Sequence, residues 1–230
     1  MSDLRIALIG EGPTDYVIIE AALKAILPHP FILTQLQPEA TQPEMGSGWG
    51  GVLKWCYTAS ERFAGPVTSD PTLSGYDMLI IHLDVDVTGF SYADCGANVA
   101  QMAVDRGWQN LPIHCVCPPA EYCANALIPV IESWLGAASL GRTVLCLPAQ
   151  SSGTWLAAAY LPAEHALLAN EPECSGIEEQ LERLPKQLKV KKSQREYRSK
   201  APTITTQWNK VKQVCNQALR FEQSVKALIS

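Results

Sequence analysis

Short apolar runs alternate with longer stretches of helical periodicity through the first 170 residues, and the order of the two predicts α/β units around a mostly parallel sheet. Arg5 to Ile9 reads as a buried strand. Gly10-Glu11-Gly12 then turns the chain, Pro13 opens a helix whose apolar stripe runs from Val17 to Leu27, and Pro28 stops it. Phe31 to Leu36 is a second strand. The glycine-rich Gly46 to Gly51 precedes a helix from about Val52 to Phe63, and Pro66 to Gly75 is a loop. Met78 to Val85 is the strongest strand pattern.

Further on, Asp94 to Arg106 looks helical, Leu111 to Cys117 looks like a strand, and Glu121 to Ala138 looks like a helix interrupted or restarted at Pro129. Thr143 to Leu147 is the last expected strand. The turn Gln150 to Thr154 opens a helix through Tyr160, and helices over Glu178 to Lys189 and Thr205 to Leu228 complete the chain. The expected organisation is an α/β domain over 1–150 with a helical extension, 151–230, packed on it. No internal repeat or low-complexity tract interrupts this order.

With 230 residues, 47% of them hydrophobic, there is material for one sizeable core. No apolar run approaches the roughly 20 residues that span a bilayer, and the start of the chain lacks a secretory pattern, so no membrane association and a cytoplasmic location are expected. The net charge of −5 conceals a division of sign. Residues 1–182 hold 6 Lys+Arg against 21 Asp+Glu, whereas 183–230 hold 12 against 2. A basic tail on an acidic body suits either nucleic-acid phosphates or docking of the tail on the body itself. The eight cysteines form no Cys-x-x-Cys pair and no zinc spacing, and buried, reduced thiols are expected; Cys115 and Cys117 would share one strand face.

Ligand sites of open α/β sheets lie beyond the carboxyl ends of the strands. Glu11 follows the first strand between two glycines, and Asp84 and Asp86 end the strongest one. At i, i+2 on a strand these aspartates would share a face, about 6.5–7 Å apart. Two carboxylates so aimed repel each other unless a cation lies between them or one binds a proton, and Mg²⁺ or Mn²⁺ is the natural occupant. A solvated turn is the structural alternative for the pair, and dipole stabilisation at the helix start is the better reading for Asp15. His82 has the parity of the pair but reads as a core histidine.

These residues resemble the TOPRIM fold of topoisomerases, primases and overcoming-lysogenisation-defect nucleases. Its signature is a Glu after the first strand, here Ile9-Gly10-Glu11-Gly12-Pro13-Thr14-Asp15, and an Asp-x-Asp after a later one, here His82-Leu83-Asp84-Val85-Asp86. Within that superfamily the chain is most similar to a small stand-alone TOPRIM-like family of unknown function often encoded beside AAA-type ATPases. The likeness extends to Ile131-Glu132-Ser133-Trp134-Leu135, to Tyr197-Arg198-Ser199-Lys200, and to a closing helix over Cys215 to Phe221, where family members often carry Cys-Pro-Arg-Phe.

The resemblance implies a metal-dependent nuclease or phosphodiesterase acting on nucleic acid with a partner ATPase, in defence against phage or foreign DNA. It makes Asp84, Asp86 and Glu132 metal ligands, Glu11 a ligand or general base, and Lys200 a catalytic or phosphate-contacting cation. Lys191, Lys192, Arg195 and Arg198 would contact the nucleic-acid backbone. Glu132 reads equally well as a surface acid in the first turn of a restarted helix. Two other readings stand beside this one. A non-catalytic adaptor would use the basic tail alone, and Asp84-Val85-Asp86-Val87-Thr88 also resembles the nucleophile motif of haloacid-dehalogenase-like phosphatases, which needs a later acidic pair that this chain lacks. No Gly-Lys-Ser/Thr marks a P-loop.

Overall fold

A computed structural model describes residues 3–39, 45–113, 115–136 and 138–229. Four strands, β1 (Leu4–Ile9), β2 (Phe31–Gln37), β3 (Met78–His82) and β4 (Thr143–Cys146), form an all-parallel sheet in the order β2-β1-β3-β4. The chain is thus α/β, as the alternation of periods predicts.

Strand parity divides the core. Ile6, Leu8, Met78, Ile80, Val144 and Cys146 point to one face, where α1 (Pro13–Ile26), α5 (Gly153–Tyr160), α7 (Gln194–Thr206), α8 (Trp208–Val214) and α9 (Asn216–Ile229) cover them. Ala7, Ile9, Leu79 and Ile81 point to the other, beneath α2 (Gly48–Arg62) and α4 (Ala120–Leu135), with α3 (Ala97–Arg106) contributing Ala103 to the same cluster. Strands buried on both faces lose the polar alternation of a half-exposed sheet, which is why β1 and β3 read as continuous apolar runs.

Segments 1–150 and 151–230 share the first of these clusters. Trp155 lies edge-on to Trp208 at 5.6 Å and against Phe221 at 5.7 Å. Thr205 donates its hydroxyl to the carbonyl of Ala21 at 2.8 Å, tying α7 to α1.

Several local expectations are corrected. Leu111 to Cys117 forms no strand at its described positions: Ile113 and Val116 are exposed, and Cys115 and Cys117 are bonded to residues outside the sheet. The helix expected to restart at Pro129 is continuous as α4, giving up the one amide a proline lacks. The closing helix expected over Thr205 to Leu228 is broken into the end of α7, then α8 and α9; α7 itself was not expected, and the helix expected over Glu178 to Lys189 is only α6 (Ile177–Leu181).

The thiols divide as well. Cys56, Cys146 and Cys215 are free and buried and Cys95 is free and half-buried, but Cys115 is joined to Cys123 and Cys117 to Cys174. Spacing along the chain carried no sign of these pairs, because Cys174 reaches Cys117 only through the packing of the loop before α6. No described helix is long and apolar enough to cross a membrane.

Candidate metal centre

Three groups meet at the carboxyl edge of the sheet. Glu11 follows β1, His82 is the last residue of β3, and Asp84 stands two residues beyond it. Each offers one ligand atom within 4.8 Å of the others. The Asp84 amide donates to Glu11 Oε1 at 2.7 Å, and the Ser152 amide donates to Asp84 Oδ1 at 2.9 Å. Asp15, on the first turn of α1, completes the surroundings: its Oδ1 accepts from the Ser152 hydroxyl at 2.7 Å, and its Oδ2 lies 4.0 Å from His82 Nδ1.

His82 Nε2 lies 3.1 Å from Asp84 Oδ1, but off the line a ring N–H needs, so the contact is electrostatic and both ring nitrogens lack a directed hydrogen bond. The parity that His82 shares with Asp84 was its only sequence signal, and burial among three carboxylates is what changes its meaning.

Burial governs the protonation of the site. It pushes the Glu11 carboxyl up to about 8, reinforced by the neighbouring Asp84 charge. Asp84 is pushed up to about 7, again mainly by burial and against the opposing pull of His82. Burial alone would lower the His82 imidazole, but Asp15, Asp84 and Glu11 together outweigh it and raise it to about 9. The cluster therefore holds protons that a bound cation would displace.

Asp86 does not share a strand face with Asp84. β3 ends at His82, and Asp84 caps a 3₁₀ turn over Val85–Val87, so the two-residue alternation is lost before it reaches Asp86. Asp86 is exposed and lines a cavity of about 560 Å³ together with Gln150, Ser151, Glu178, Arg183 and Lys192. Its carboxyl is raised by burial of part of the side chain, against the opposing charge of Lys192.

Lys192 is held there by Glu178, which accepts its ammonium at 2.7 Å and also accepts the Tyr197 hydroxyl. Nothing in the sequence singled out Glu178. It belongs to the short α6 and becomes part of the cavity only because Gly153, lacking a side chain, leaves room for its carboxylate.

Glu132 stands apart from this centre. It is exposed on the last turn of α4, rather than the first turn of a new helix, and α4 ends where the chain turns toward the amino end of β4, the edge opposite Glu11 and Asp84. Lys200 packs over the Tyr160 ring, its Nζ 4.4 Å from the centroid, and is not among the residues lining the cavity. Lys191, Arg195 and Arg198 are exposed around the start of α7 and form no ion pair among the described residues. Of the expected basic contacts, Lys192 is the one at the cavity.

The donor set fits a divalent ion. Two carboxylates alone would suit Mg²⁺, and an imidazole with free ring nitrogens shifts the preference toward Mn²⁺ or another first-row ion. The chain matches no known protein family, no curated protein and no solved structure.

Proposed function

We propose that the chain is a divalent-metal-dependent nuclease or phosphodiesterase of the TOPRIM type, with Mn²⁺ preferred over Mg²⁺. The observation that carries this reading is the meeting of Glu11, His82 and Asp84 at the carboxyl edge of a parallel sheet, beside an open cavity. Glu11 and Asp84 would hold the ion, with His82 as third donor. Such an ion, when bound, supplies polarisation of a phosphoryl oxygen and a lowered pKa for bound water. Ser152 orients Asp84 through its amide and Asp15 through its hydroxyl. Asp86 and Lys192 face the cavity in which a phosphodiester would lie. With its carboxyl raised to about 8 in the metal-free protein, Glu11 carries a proton at neutral pH, which a bound ion would displace. Action with an AAA-type ATPase, in defence against foreign DNA, rests on motif resemblance.

One observation favours the adaptor reading. A protonated His82, together with protons held by the raised carboxyls of Glu11 and Asp84, reduces the charge of the cluster, so it can persist as an internal ion group with no metal. Cleavage of plasmid, single-stranded DNA and RNA with Mn²⁺, Mg²⁺ or EDTA, alongside calorimetric titration of Mn²⁺, separates the two. Metal-dependent cutting lost in Asp84→Asn supports the nuclease. Absence of Mn²⁺ binding and of cutting supports the adaptor.

A further inference from the structure

The contacts that build the carboxylate cluster also hold two aromatic rings at its edge. From Glu11, the main-chain carbonyl accepts the amide of Gly48 at 2.8 Å, placing the first turn of α2, and Trp49 with it, beside the cluster. From Asp84, two successive turns lead outward: Val87 donates its amide to Asp84 and Phe90 donates its amide to Val87, the latter at 3.1 Å. The two paths meet where Trp49 and Phe90 face each other at 6.3 Å with their planes tilted 32°. Glu11, Gly48, Trp49, Phe90, Val87 and Asp84 thus form one closed ring of contacts, and the aromatic pair is its outer side.

The two rings differ in support. Trp49 is half-buried and backed by Tyr92 at 6.4 Å, which is itself packed on Trp108 at 5.6 Å and accepts the Trp134 indole N–H at 2.9 Å. Phe90 is 45% exposed. An exposed phenyl ring fixed against a rigid aromatic stack, a few residues from a phosphate-cleaving centre, has the form of a platform for a nucleobase, since every base presents a π-face and stacking needs no sequence match. A paired base in a duplex has both faces occupied by its neighbours and cannot use it.

We propose that Phe90, backed by Trp49, stacks an unpaired base next to the scissile phosphate and makes the enzyme selective for single-stranded nucleic acid. The proposal rests on the nuclease reading and names its substrate class.

The test is fluorescence anisotropy of the full chain with a labelled oligo(dT) and with a labelled duplex of equal length, in Ca²⁺ in place of Mn²⁺. Phe90→Ala should weaken oligo(dT) binding about tenfold, Phe90→Trp should preserve it, and Phe90→Leu, apolar but unable to stack, should behave like Phe90→Ala. Duplex binding should change less than about twofold. Phe90 is exposed, so these variants keep the fold, which a thermal melt checks. Equal oligo(dT) affinity for the wild type and Phe90→Ala, or equal losses on oligo(dT) and duplex, overturns the proposal. Failure of the nuclease reading shows separately, as absence of Mn²⁺ binding at Glu11 and Asp84 in a protein with an intact aromatic pair.

Discussion

The main-chain amide of Asp84 donates to the carboxylate of Glu11 at 2.7 Å across 73 residues of sequence, so the backbone beyond β3 is bonded to the side chain beyond β1. The parallel pairing of β1 with β3, which sets Ile9 opposite Ile81, brings the two strand ends together, and the bond fixes them there. Glu11 therefore shapes the turn that carries Asp84 as well as supplying a donor atom.

That arrangement makes the metal-free protein sensitive to alkali. Glu11, Asp84 and His82 all have folded-state pKa values above their ordinary ones, at about 8, 7 and 9. The folded chain then binds protons more tightly than the unfolded chain. The stability these groups contribute is complete below their ordinary values and is lost as pH rises through the raised ones. In EDTA the melting temperature should fall between pH 5 and 9, Glu11→Gln should flatten the profile, and saturating Mn²⁺ should reverse its slope above pH 7, as read by calorimetry at fixed ionic strength.

Ser152 serves two carboxylates, and its hydroxyl is the one directed donor to buried Asp15 among the described residues. Ser152→Ala should cost about 1–3 kcal/mol in urea unfolding, the usual penalty for a buried acceptor left without its donor. Ser152→Thr, which keeps the hydroxyl, should recover part of that loss.

At Gly153 an added methyl group would collide with the Glu178 carboxylate, which Tyr197 and Lys192 hold in place. Gly153→Ala should therefore destabilise by about 1–3 kcal/mol, as overpacking of a filled site does. In the double variant Gly153→Ala with Glu178→Ala the collision is gone, and its loss should be smaller than the sum of the two single losses, a coupling that a double-mutant cycle reads directly.

Thiol titration of the unfolded, unreduced protein should find four reactive cysteines, Cys56, Cys95, Cys146 and Cys215, and eight after reduction. Cys174→Ser should lower stability by about 2–4 kcal/mol, because the Cys117–Cys174 bond closes a long loop, its ends 57 residues apart in sequence. A reductant should cost the wild type this loss together with that of the Cys115–Cys123 bond, and should cost the variant only the latter.

Much of the architecture was legible because its causes are local. Pro13 at the head of α1 and the unbroken apolar runs of β1 and β3 act over a few residues, and the chain places those elements as their patterns indicate. Leu111 to Cys117 shows the limit. Its apolar residues satisfy the pattern of a strand, yet a strand also needs a partner for its amides, and periodicity says nothing about partners. The split of the basic tail into α7, α8 and α9 was hidden for a similar reason, since what bends it is the packing of Trp208 and Phe221 around Trp155.

Within the centre, the sequence by itself determined Glu11 and Asp84: a carboxylate placed directly after a buried strand has to emerge at the strand's carboxyl end. Tertiary structure decided the rest. It turned Asp86 out of line with Asp84 by starting a 3₁₀ turn, brought His82 into the donor set by surrounding it with acids, and carried Glu132 to the opposite edge at the end of α4. It also chose Lys192 over Lys200 as the cation at the cavity, through Glu178. Side-chain direction within a strand follows from a two-residue period, but which charges meet in the interior depends on how separate elements pack, and that sum of long-range contacts is written in no single stretch of the chain.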